Sequence, residues 1–267
     1  MTQGNYLFNI FEKICRSNIY LFIFSRYLVG KFFSKVFYDN DFKIIKILEK
    51  RDFLKKTLIL DIGANDGMSY HILRKFSRNS KIISFEPNIY NYKNLKKIEK
   101  KDKKYKCINV ALSNKNVKKS FYTPYFKKYA ITQIAGIDED GVKKRLRKSL
   151  NIKNLSKKII LKKNYINTIK LDEYSYKPSF IKIDIEGHEF ECIKGSIETI
   201  KKVKPILMVE YDKKICEKIY TLLKRYNYER FYYNKINKKI EIFNNQEIFN
   251  IFFINKKQKN LLIYDHN

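Results

Sequence analysis

The chain has 267 residues, 44% of them hydrophobic, which is enough for one large α/β domain with extra elements and excludes a wholly disordered protein. The formal net charge is +30, but only nine of the 57 basic residues are Arg. Arg is the residue best suited to phosphate forks and base edges. We therefore attribute the charge mainly to solvent-facing lysines, which AT-rich codons favour, and expect no specific nucleic-acid partner.

The N-terminal extension, residues 1–50, contains the Phe-rich stretch "SNIYLFIFSRYLVGKFFSKVFY" at 17–38. Its longest uncharged part, 17–25, is much shorter than the roughly 20 residues that a membrane-spanning helix needs. The stretch predicts a basic amphipathic helix. We expect this helix to pack on the main domain, and peripheral contact with the inner face of a membrane is the alternative.

The four cysteines, Cys15, Cys107, Cys192 and Cys216, form no C-x-x-C pair. Two of them lie in apolar runs and are expected to be small core residues. This usage predicts reduced thiols, a cytoplasmic protein and no zinc site.

From residue 57 onward, short apolar runs alternate with helical stretches. Runs that are nearly continuous in Ile, Leu and Val are typical of parallel strands covered on both faces. The strands are predicted at 57–61, 81–86, 106–112, 180–185 and 205–211, with helices near 68–77, 90–101, 188–201 and 213–226. The alternation predicts a doubly wound sheet with crossover helices.

The predicted main domain covers residues 51–255, and two regions depart from its alternating pattern. Residues 113–179 contain an insertion with a strand, a loop and a charged helix, which forms either a substrate wall or lid, or a passive excursion. After Arg230, the runs "RFYY", "KIEIF" and "IFFIN" predict antiparallel strands. Residues 256–267 are a tail.

The stretch "DIGANDG", residues 61–67, follows the first predicted strand. Gly63 can adopt backbone angles closed to other residues and lets a ligand approach the backbone. Gly67 lets the next helix start in tight contact with a strand or a ligand. The stretch therefore predicts a ligand at the carboxyl end of the strand, where open α/β sheets bind ligands. The alternative is an ordinary tight turn.

Glu86 ends the second predicted strand in "ISFEPN", 25 residues after Asp61. A carboxylate in this place can accept two hydrogen bonds from a ribose diol. The glycine spacing is G-x-x-x-G rather than the G-x-G-x-x-G of dinucleotide sites, and an Asp at its start would repel a pyrophosphate. The pattern favours S-adenosylmethionine over a nicotinamide dinucleotide.

The segment "SFIKIDIEGHEFECIKG", residues 179–195, places three titratable side chains after an apolar strand. Asp184 and His188 are candidate general bases for removing a hydroxyl proton, and Glu186 is expected to position the substrate or orient His188. We expect this direct acid–base chemistry rather than a divalent metal bound by D-x-E-x-H. Glu210, near the end of the fifth strand, either lines the same cleft or marks the exit of the strand.

The sequence resembles the FkbM family of S-adenosylmethionine-dependent methyltransferases. The resemblance is carried by "LDIGANDG", "ISFEPN", "INVALSN", "NTIKLDEY", "FIKIDIEGHEFECIKGS" and "KPILMVEY", in this order between residues 60 and 211. It implies the class I methyltransferase fold: an α/β, Rossmann-like, doubly wound and mostly parallel seven-stranded sheet with helices on both faces. It also implies O-methylation, commonly of sugars or polyketide-like hydroxyls.

Carried over by motif, the glycine turn would hold the methionine part of the cofactor, Glu86 the ribose, and residues 111–113 would lie near the adenine. The implied cofactor-binding residues are Asp61, Gly63, Ala64, Asn65, Gly67, Glu86, Pro87, Asn88, Ala111, Leu112 and Ser113, and the implied catalytic residues are Asp184, Glu186 and His188. The stretch "PYFKKYAITQ" resembles family members from bacterial surface-polysaccharide loci. A sugar, or another small acceptor that can be anionic, is the expected substrate.

Three other functions compete with sugar O-methylation. Base-amino methylation is disfavoured because "DIEG" stands where such enzymes carry [DN]-P-P-[YFW], and no Pro-Cys dipeptide supports cytosine-carbon methylation. Ribose O-methylation of RNA, a nucleotide-dependent oxidoreductase and a non-catalytic, membrane-associated methyltransferase-like domain stay open. The joint presence of Asp61, Glu86 and Asp184 argues against the loss of a catalytic site.

Overall fold

A computed structural model describes residues 20–21, 40–50, 57–149 and 159–263 of the chain. The chain forms two compact units. The larger unit contains the described residues 40–118 and 166–263, and the smaller contains 119–149, 159–165 and 20–21. The predicted N-terminal helix at 17–38 and Cys15 lie outside the described residues, apart from Tyr20 and Leu21, which are helical.

The larger unit is built on one eight-stranded sheet with the order β11-β10-β12-β9-β8-β1-β2-β3. The strands are β1 (Leu58–Ile62), β2 (Lys81–Phe85), β3 (Tyr105–Ile108), β8 (Phe180–Ile183), β9 (Ile206–Glu210), β10 (Tyr228–Asn234), β11 (Lys239–Ile242) and β12 (Asn250–Asn255). The five strands from β9 to β3 run parallel. The strands β10, β11 and β12 pair antiparallel, as the sequence after Arg230 predicts.

Helices cover both faces of this sheet. They are α1 (Lys43–Lys50), α2 (Met68–Phe76), α3 (Ile89–Glu99), α5 (Glu189–Lys194), α6 (Ile197–Val203), α7 (Lys213–Lys224) and α8 (Lys256–Ile263). Alternate residues of β1 enter two separate cores: Ile59 packs with α1, α2 and α3, whereas Leu60 packs with α5, α6 and α7. This alternation places Asp61 on the same face as Ile59.

The fold is the predicted α/β, doubly wound and mostly parallel architecture, but two details of the prediction were wrong. The sheet has eight strands rather than seven, because β11 adds an edge strand through a hairpin with β10. The run at 106–112 is not one strand. It forms β3 and then β4 (Ala111–Leu112), which pairs with the end of β7 (Ile159–Ile169) instead of joining the main sheet.

The helix predicted at 188–201 is interrupted at Gly195 and Ser196. A β-carbon at Gly195 would lie 1.9 Å from the backbone oxygen of Ser113, so only glycine permits this approach. Helix α5 ends before this glycine and α6 begins after Ser196, whose hydroxyl donates to the Cys192 carbonyl.

The smaller unit contains β5 (Lys118–Phe126), β6 (Tyr129–Ala130), α4 (Glu139–Ser149) and the first part of β7. The strand β5 lies between β6 and β7. Asp138 begins α4, since its carboxylate accepts the backbone N–H groups of Asp140 and Gly141. A small core centred on Phe126, Ile131, Ile134 and Val142 holds these elements together.

None of the helices in the described ranges is long and apolar enough to cross a lipid bilayer. The three cysteines in these ranges, Cys107, Cys192 and Cys216, are free and buried in the larger unit. Burial raises the pKa of each of these thiols to about 12. These thiols therefore behave as apolar core groups.

Candidate active site

The centre of the main sheet is a topological switch point, because the chain runs outward from β1 through β2 to β3 and then returns to β8 on the other side of β1. Open α/β sheets bind ligands at the carboxyl ends of strands at such a point. Three loops follow these ends in the larger unit: 63–67 after β1, 86–88 after β2, and 184–188 after β8.

The loop after β1 has three residues with positive φ: Gly63 at 83°, Asn65 at 48° and Gly67 at 93°. A β-carbon at Gly63 would lie 1.9 Å from the backbone oxygen of Asp184. Gly63 thus brings the β1 and β8 loops into direct backbone contact. At Gly67 the nearest groups are the side chains of Leu95 and Ile98, so its missing β-carbon lets α2 begin against α3.

A polar row crosses the sheet beneath these loops. Ser84 of β2, Asp61 of β1 and Lys182 of β8 are partners in register on three neighbouring strands. Asp61 is fully buried, and its Oδ2 accepts hydrogen bonds from the hydroxyls of Ser69, at 2.7 Å, and Ser84, at 3.1 Å. Its Oδ1 has no hydrogen bond but faces the Lys182 ammonium at 3.5 Å.

Lys182 is a buried cation held by three oxygens. Its Nζ lies 3.2 Å from the Gly63 carbonyl oxygen and 3.2 Å from Asp184 Oδ2, besides its contact with Asp61. Burial alone would lower the pKa of Lys182, but the carboxylates of Asp184 and Asp61 outweigh burial and raise it above its ordinary value. Lys182 is therefore charged at neutral pH.

Glu86 is a nearly fully buried carboxylate at the end of β2, 5% exposed. Its Oε2 accepts the backbone N–H of Asn65 and its Oε1 that of Asn88, both at 2.8 Å. Burial raises the pKa of Glu86 to about 7, and the nearby charge of Asp61 adds to this effect although the two N–H groups oppose it. Near neutral pH the carboxyl group is poised between its two protonation states.

The residues after Glu86 order this loop. The Asn88 side chain accepts the Tyr90 N–H and caps α3, while Pro87 is half-buried. The Asn109 amide donates to the carbonyl oxygens of Glu86, at 2.8 Å, and Pro87, at 3.0 Å. These bonds bring the chain after β3 to the Glu86 loop.

The loop after β8 presents carboxylates. The Asp184 side chain is 41% exposed, and Glu186 and Gly187 have positive φ angles of 58° and 99°. The loop is held from below by Glu189, whose Oε1 accepts the N–H groups of Ile185 and Gly187 at 3.0 and 3.1 Å. Burial raises the pKa of Glu189.

His188 begins α5, and its Nε2 lies 2.9 Å from the Ser113 hydroxyl. Ser113 is fully buried just after β4, so this hydrogen bond fixes the imidazole against a rigid partner. Ala111 and Leu112 form β4 and are buried there. Ser113, implied by the resemblance to lie near the adenine, thus contacts a residue implied to face the substrate.

Glu210 lies at the end of β9, next to β8. Although its side chain is exposed, the surrounding groups partly desolvate its carboxylate. This desolvation, together with the negative charges of Asp184, Glu186 and Glu189, raises the pKa of Glu210. The carboxyl ends of β8 and β9 therefore form a locally acidic surface on a basic protein.

Direct contacts join most of the predicted site residues at the carboxyl ends of β1, β2 and β8. Asp61 joins Asp184 through Lys182, Asn65 contacts Glu86, and Gly63 packs on Asp184. Gly67 instead faces α3, and Ala64 is buried in the core on the α1–α3 side of the sheet.

Four residues of this network were not predicted: Lys182, Ser69, Ser84 and Asn109. Of these four residues, only Lys182 has a signal in the sequence. It is a lysine inside the apolar run "FIKIDI", and a charged residue in a buried strand needs a partner. In the described part of the chain, no group of three or more His, Cys, Asp or Glu side chains is arranged to hold a metal ion.

The doubly wound parallel sheet with antiparallel strands at one end is the class I methyltransferase fold. The family model of the methyltransferase FkbM domain matches residues 61–230, more than half of the chain. The protein belongs to the FkbM methyltransferase family, as the sequence motifs predict. No curated protein matches the chain.

Solved methyltransferase structures resemble this chain at low identity. Methyltransferase FkbM from Methylobacillus flagellatus KT is 14% identical, with a TM-score of 0.47 over 74% of this chain and 43% of that one, so the chain spans less than half of its length. Precorrin-6y C5,15-methyltransferase from Geobacter metallireducens GS-15 is 12% identical, with a TM-score of 0.36 over 78% and 85% of the two chains. S-adenosylhomocysteine-bound methyltransferase PaMTH1 from Podospora anserina is 11% identical, with a TM-score of 0.39 over 79% and 75%.

Proposed function

We propose that this protein binds S-adenosylmethionine and transfers its methyl group to a hydroxyl of a sugar in a surface polysaccharide or its precursor. The cofactor fits the residues present. Glu86 is a buried carboxylate that accepts the backbone N–H groups of Asn65 and Asn88 and interacts with the Asn91 side chain, and a carboxylate has sites for about four hydrogen bonds in all. When bound, the cofactor supplies an electrophilic methyl group and S-adenosylhomocysteine is left.

The positions of the cofactor-binding residues follow from their chemistry. Glu86 would accept the two ribose hydroxyls, and the loop of Gly63, Ala64 and Asn65 would hold the methionine part. Asp61 is fully enclosed by Ser69, Ser84 and Lys182, so we expect it to act by supporting this loop rather than by touching the cofactor.

Asp184 is the proposed general base. It is the exposed member of the Asp61–Lys182–Asp184 network, and a carboxylate within hydrogen-bond reach can accept the proton of an acceptor hydroxyl as its oxygen takes up the methyl group. His188, oriented by Ser113, and Glu186 would position the acceptor.

The observation that favours a small acceptor over RNA is the group of carboxyl side chains of Asp184, Glu186 and Glu210 at the carboxyl ends of β8 and β9. RNA binding depends on cations that neutralise phosphates, and carboxylates at the reacting centre oppose it. We therefore propose an acceptor that is uncharged where it enters the site, in the cytoplasm, where free thiols such as those of Cys107 and Cys192 persist.

Mass spectrometry of surface glycans from cells with and without this gene tests the proposal. We expect a glycan component that loses the mass of one CH2 group when the gene is deleted. Purified protein should also transfer label from methyl-labelled S-adenosylmethionine to glycans extracted from the deletion strain. Label transferred to total RNA instead, with unchanged glycans, would replace the sugar proposal by ribose methylation.

A further inference from the structure

Lys182 is a buried charge in the middle of the sheet, and this placement needs an explanation. Its side chain is 6% exposed in a strand whose other residues are all apolar and buried. Taking an ammonium group out of water is costly, and replacing a buried ion pair by apolar side chains is often neutral or stabilising. Stability alone therefore does not account for a lysine here.

The three oxygen neighbours of Lys182 differ in their exposure to solvent and in the strand to which they belong. Asp61 and the Gly63 carbonyl belong to β1 and its loop, and the Asp61 carboxylate is fully buried and fixed by two serine hydroxyls. Asp184 lies on the loop after β8, and its side chain is 41% exposed. Lys182 thus connects a rigid, buried anchor to the one carboxylate of the network that a substrate can reach.

We propose that Lys182 is a positioning residue for methyl transfer: it holds Asp184 Oδ2, so that the carboxylate has one orientation and its Oδ1 is left to accept the acceptor's proton. This inference rests on the proposed role of Asp184 as the base. The ammonium donates to the Gly63 carbonyl oxygen and forms ion pairs with Asp61 and Asp184, so an Asp184 side chain that turned away would lose its ion pair with Lys182.

The same arrangement separates the two aspartates by function. Lys182 offsets the charge of Asp61 inside the sheet, so the two carboxylates lie close together without an uncompensated buried charge. Asp61 fixes the position of Lys182, and Asp184 is the proposed general base. Because β1 and β8 are paired in register at Asp61 and Lys182, the sheet itself sets the position of the ammonium.

A double-mutant cycle with Lys182→Met and Asp184→Asn tests this role. Turnover is measured as the transfer of label from methyl-labelled S-adenosylmethionine to glycans from cells lacking the gene. We expect K182M to lower kcat at least tenfold in the wild-type background and less than twofold in the D184N background, because both changes remove one function. Losses that multiply would show that Lys182 acts independently of Asp184. The exposed strand residue Lys106 provides the control, and K106M should leave kcat unchanged.

K182M leaves Asp61 without its buried counter-charge and can fail to fold. In that case Asp61→Asn combined with K182M removes both charges and replaces K182M throughout the cycle. A second measurement needs no acceptor: a crystal structure of the folding variant with S-adenosylhomocysteine. We expect the Asp184 side chain to leave the single orientation of the wild type, and an unchanged orientation would overturn the proposal. The two proposals can fail separately. If the wild-type protein labels no glycan, the proposed acceptor is rejected. If Asp184 is nevertheless displaced in the variant, the positioning role of Lys182 is supported.

Discussion

The hydroxyl of Ser113 and the imidazole of His188 lie 2.9 Å apart, although 75 residues separate them in the sequence. This contact links Ser113, just after β4, to His188, the residue that precedes α5. It gives Nε2 of His188 a fixed partner. In a histidine ring, the hydrogen bond made by one nitrogen helps to decide whether the other nitrogen carries a proton. We therefore propose that Ser113 orients His188.

Ser113→Ala tests this assignment. We expect the binding constant for S-adenosylhomocysteine, measured by calorimetry, to stay within twofold, while turnover falls by about three- to tenfold for one lost hydrogen bond. Ser196→Ala is the matched control, because it removes another buried hydroxyl, bonded to Cys192, that does not touch His188. A larger loss in cofactor affinity than in turnover would instead support a role for Ser113 in binding the adenine.

The Asp184→Asn variant should keep its affinity for S-adenosylhomocysteine and lose turnover by about a hundredfold or more, as expected for the removal of a general base. The amide keeps the size of the side chain but cannot accept the proton. Asp172→Asn is the control, since Asp172 accepts the backbone N–H groups of Glu198 and Thr199 in α6, and the amide oxygen of Asn keeps one of these two bonds. Wild-type turnover in D184N would show that another group is the base.

Cofactor binding should depend on pH through Glu86, whose pKa is raised to about 7 by burial. If the ribose hydroxyls donate to the ionised carboxylate, binding favours the deprotonated form and releases a proton. The affinity for S-adenosylhomocysteine should then rise about tenfold between pH 6 and pH 8 and level off above. Calorimetry in buffers of different ionisation enthalpy measures the released proton directly. In Glu86→Gln the affinity should be lower, by roughly 1.5–3 kcal/mol, and independent of pH.

The Glu86 carboxyl group should also make the stability of the protein fall as the pH rises. The folded-state pKa of Glu86 lies above its ordinary value of 4.5, so its contribution is fully present below pH 4.5 and is lost as the pH rises through 7. We expect the difference in unfolding free energy between wild type and Glu86→Gln to change by up to about 3 kcal/mol over this window. Urea denaturation at several pH values measures it, and a constant difference would contradict the buried, neutral form.

Gly63→Ala should destabilise the protein far more than Gly187→Ala. Both glycines have positive φ, 83° and 99°, so both substitutions incur backbone strain of about 1–2 kcal/mol. Only at Gly63 would the new methyl group also collide with the Asp184 carbonyl, at 1.9 Å, whereas nothing lies within 4 Å of the position at Gly187. Equal losses in the midpoint of urea denaturation would show that the two loops separate easily.

The sequence predicted the parts of the fold that depend on local pattern. The apolar runs after residue 57 located β1, β2, β8 and β9, because buried parallel strands leave a continuous signature. The division of 106–112 could not be predicted, since β4 pairs with the end of β7, a partner that lies far away in the sequence. The break before α6 coincides with Gly195, whose close approach to the backbone of Ser113 is likewise a long-range contact.

The candidate site was predictable to the extent that its residues follow strand ends. The sequence singles out Asp61, Glu86 and Asp184 because each is a polar residue that follows an apolar run. Lys182 was missed because a single lysine in a lysine-rich chain suggests a solvated face. Only the register of β1 against β8, which no local pattern encodes, shows that Lys182 faces Asp61.

The hydrogen bond from Lys182 to the Gly63 carbonyl spans 119 residues of sequence. Neither half of the polypeptide can assemble the candidate site while it folds alone, since each half carries only one side of the Asp61–Lys182 pair. Closing so long a stretch of chain is slow compared with forming local turns. A nascent chain that has been synthesised only as far as residue 181 contains the Asp61 carboxylate but not its counter-ion, Lys182, which comes with the last third of the protein.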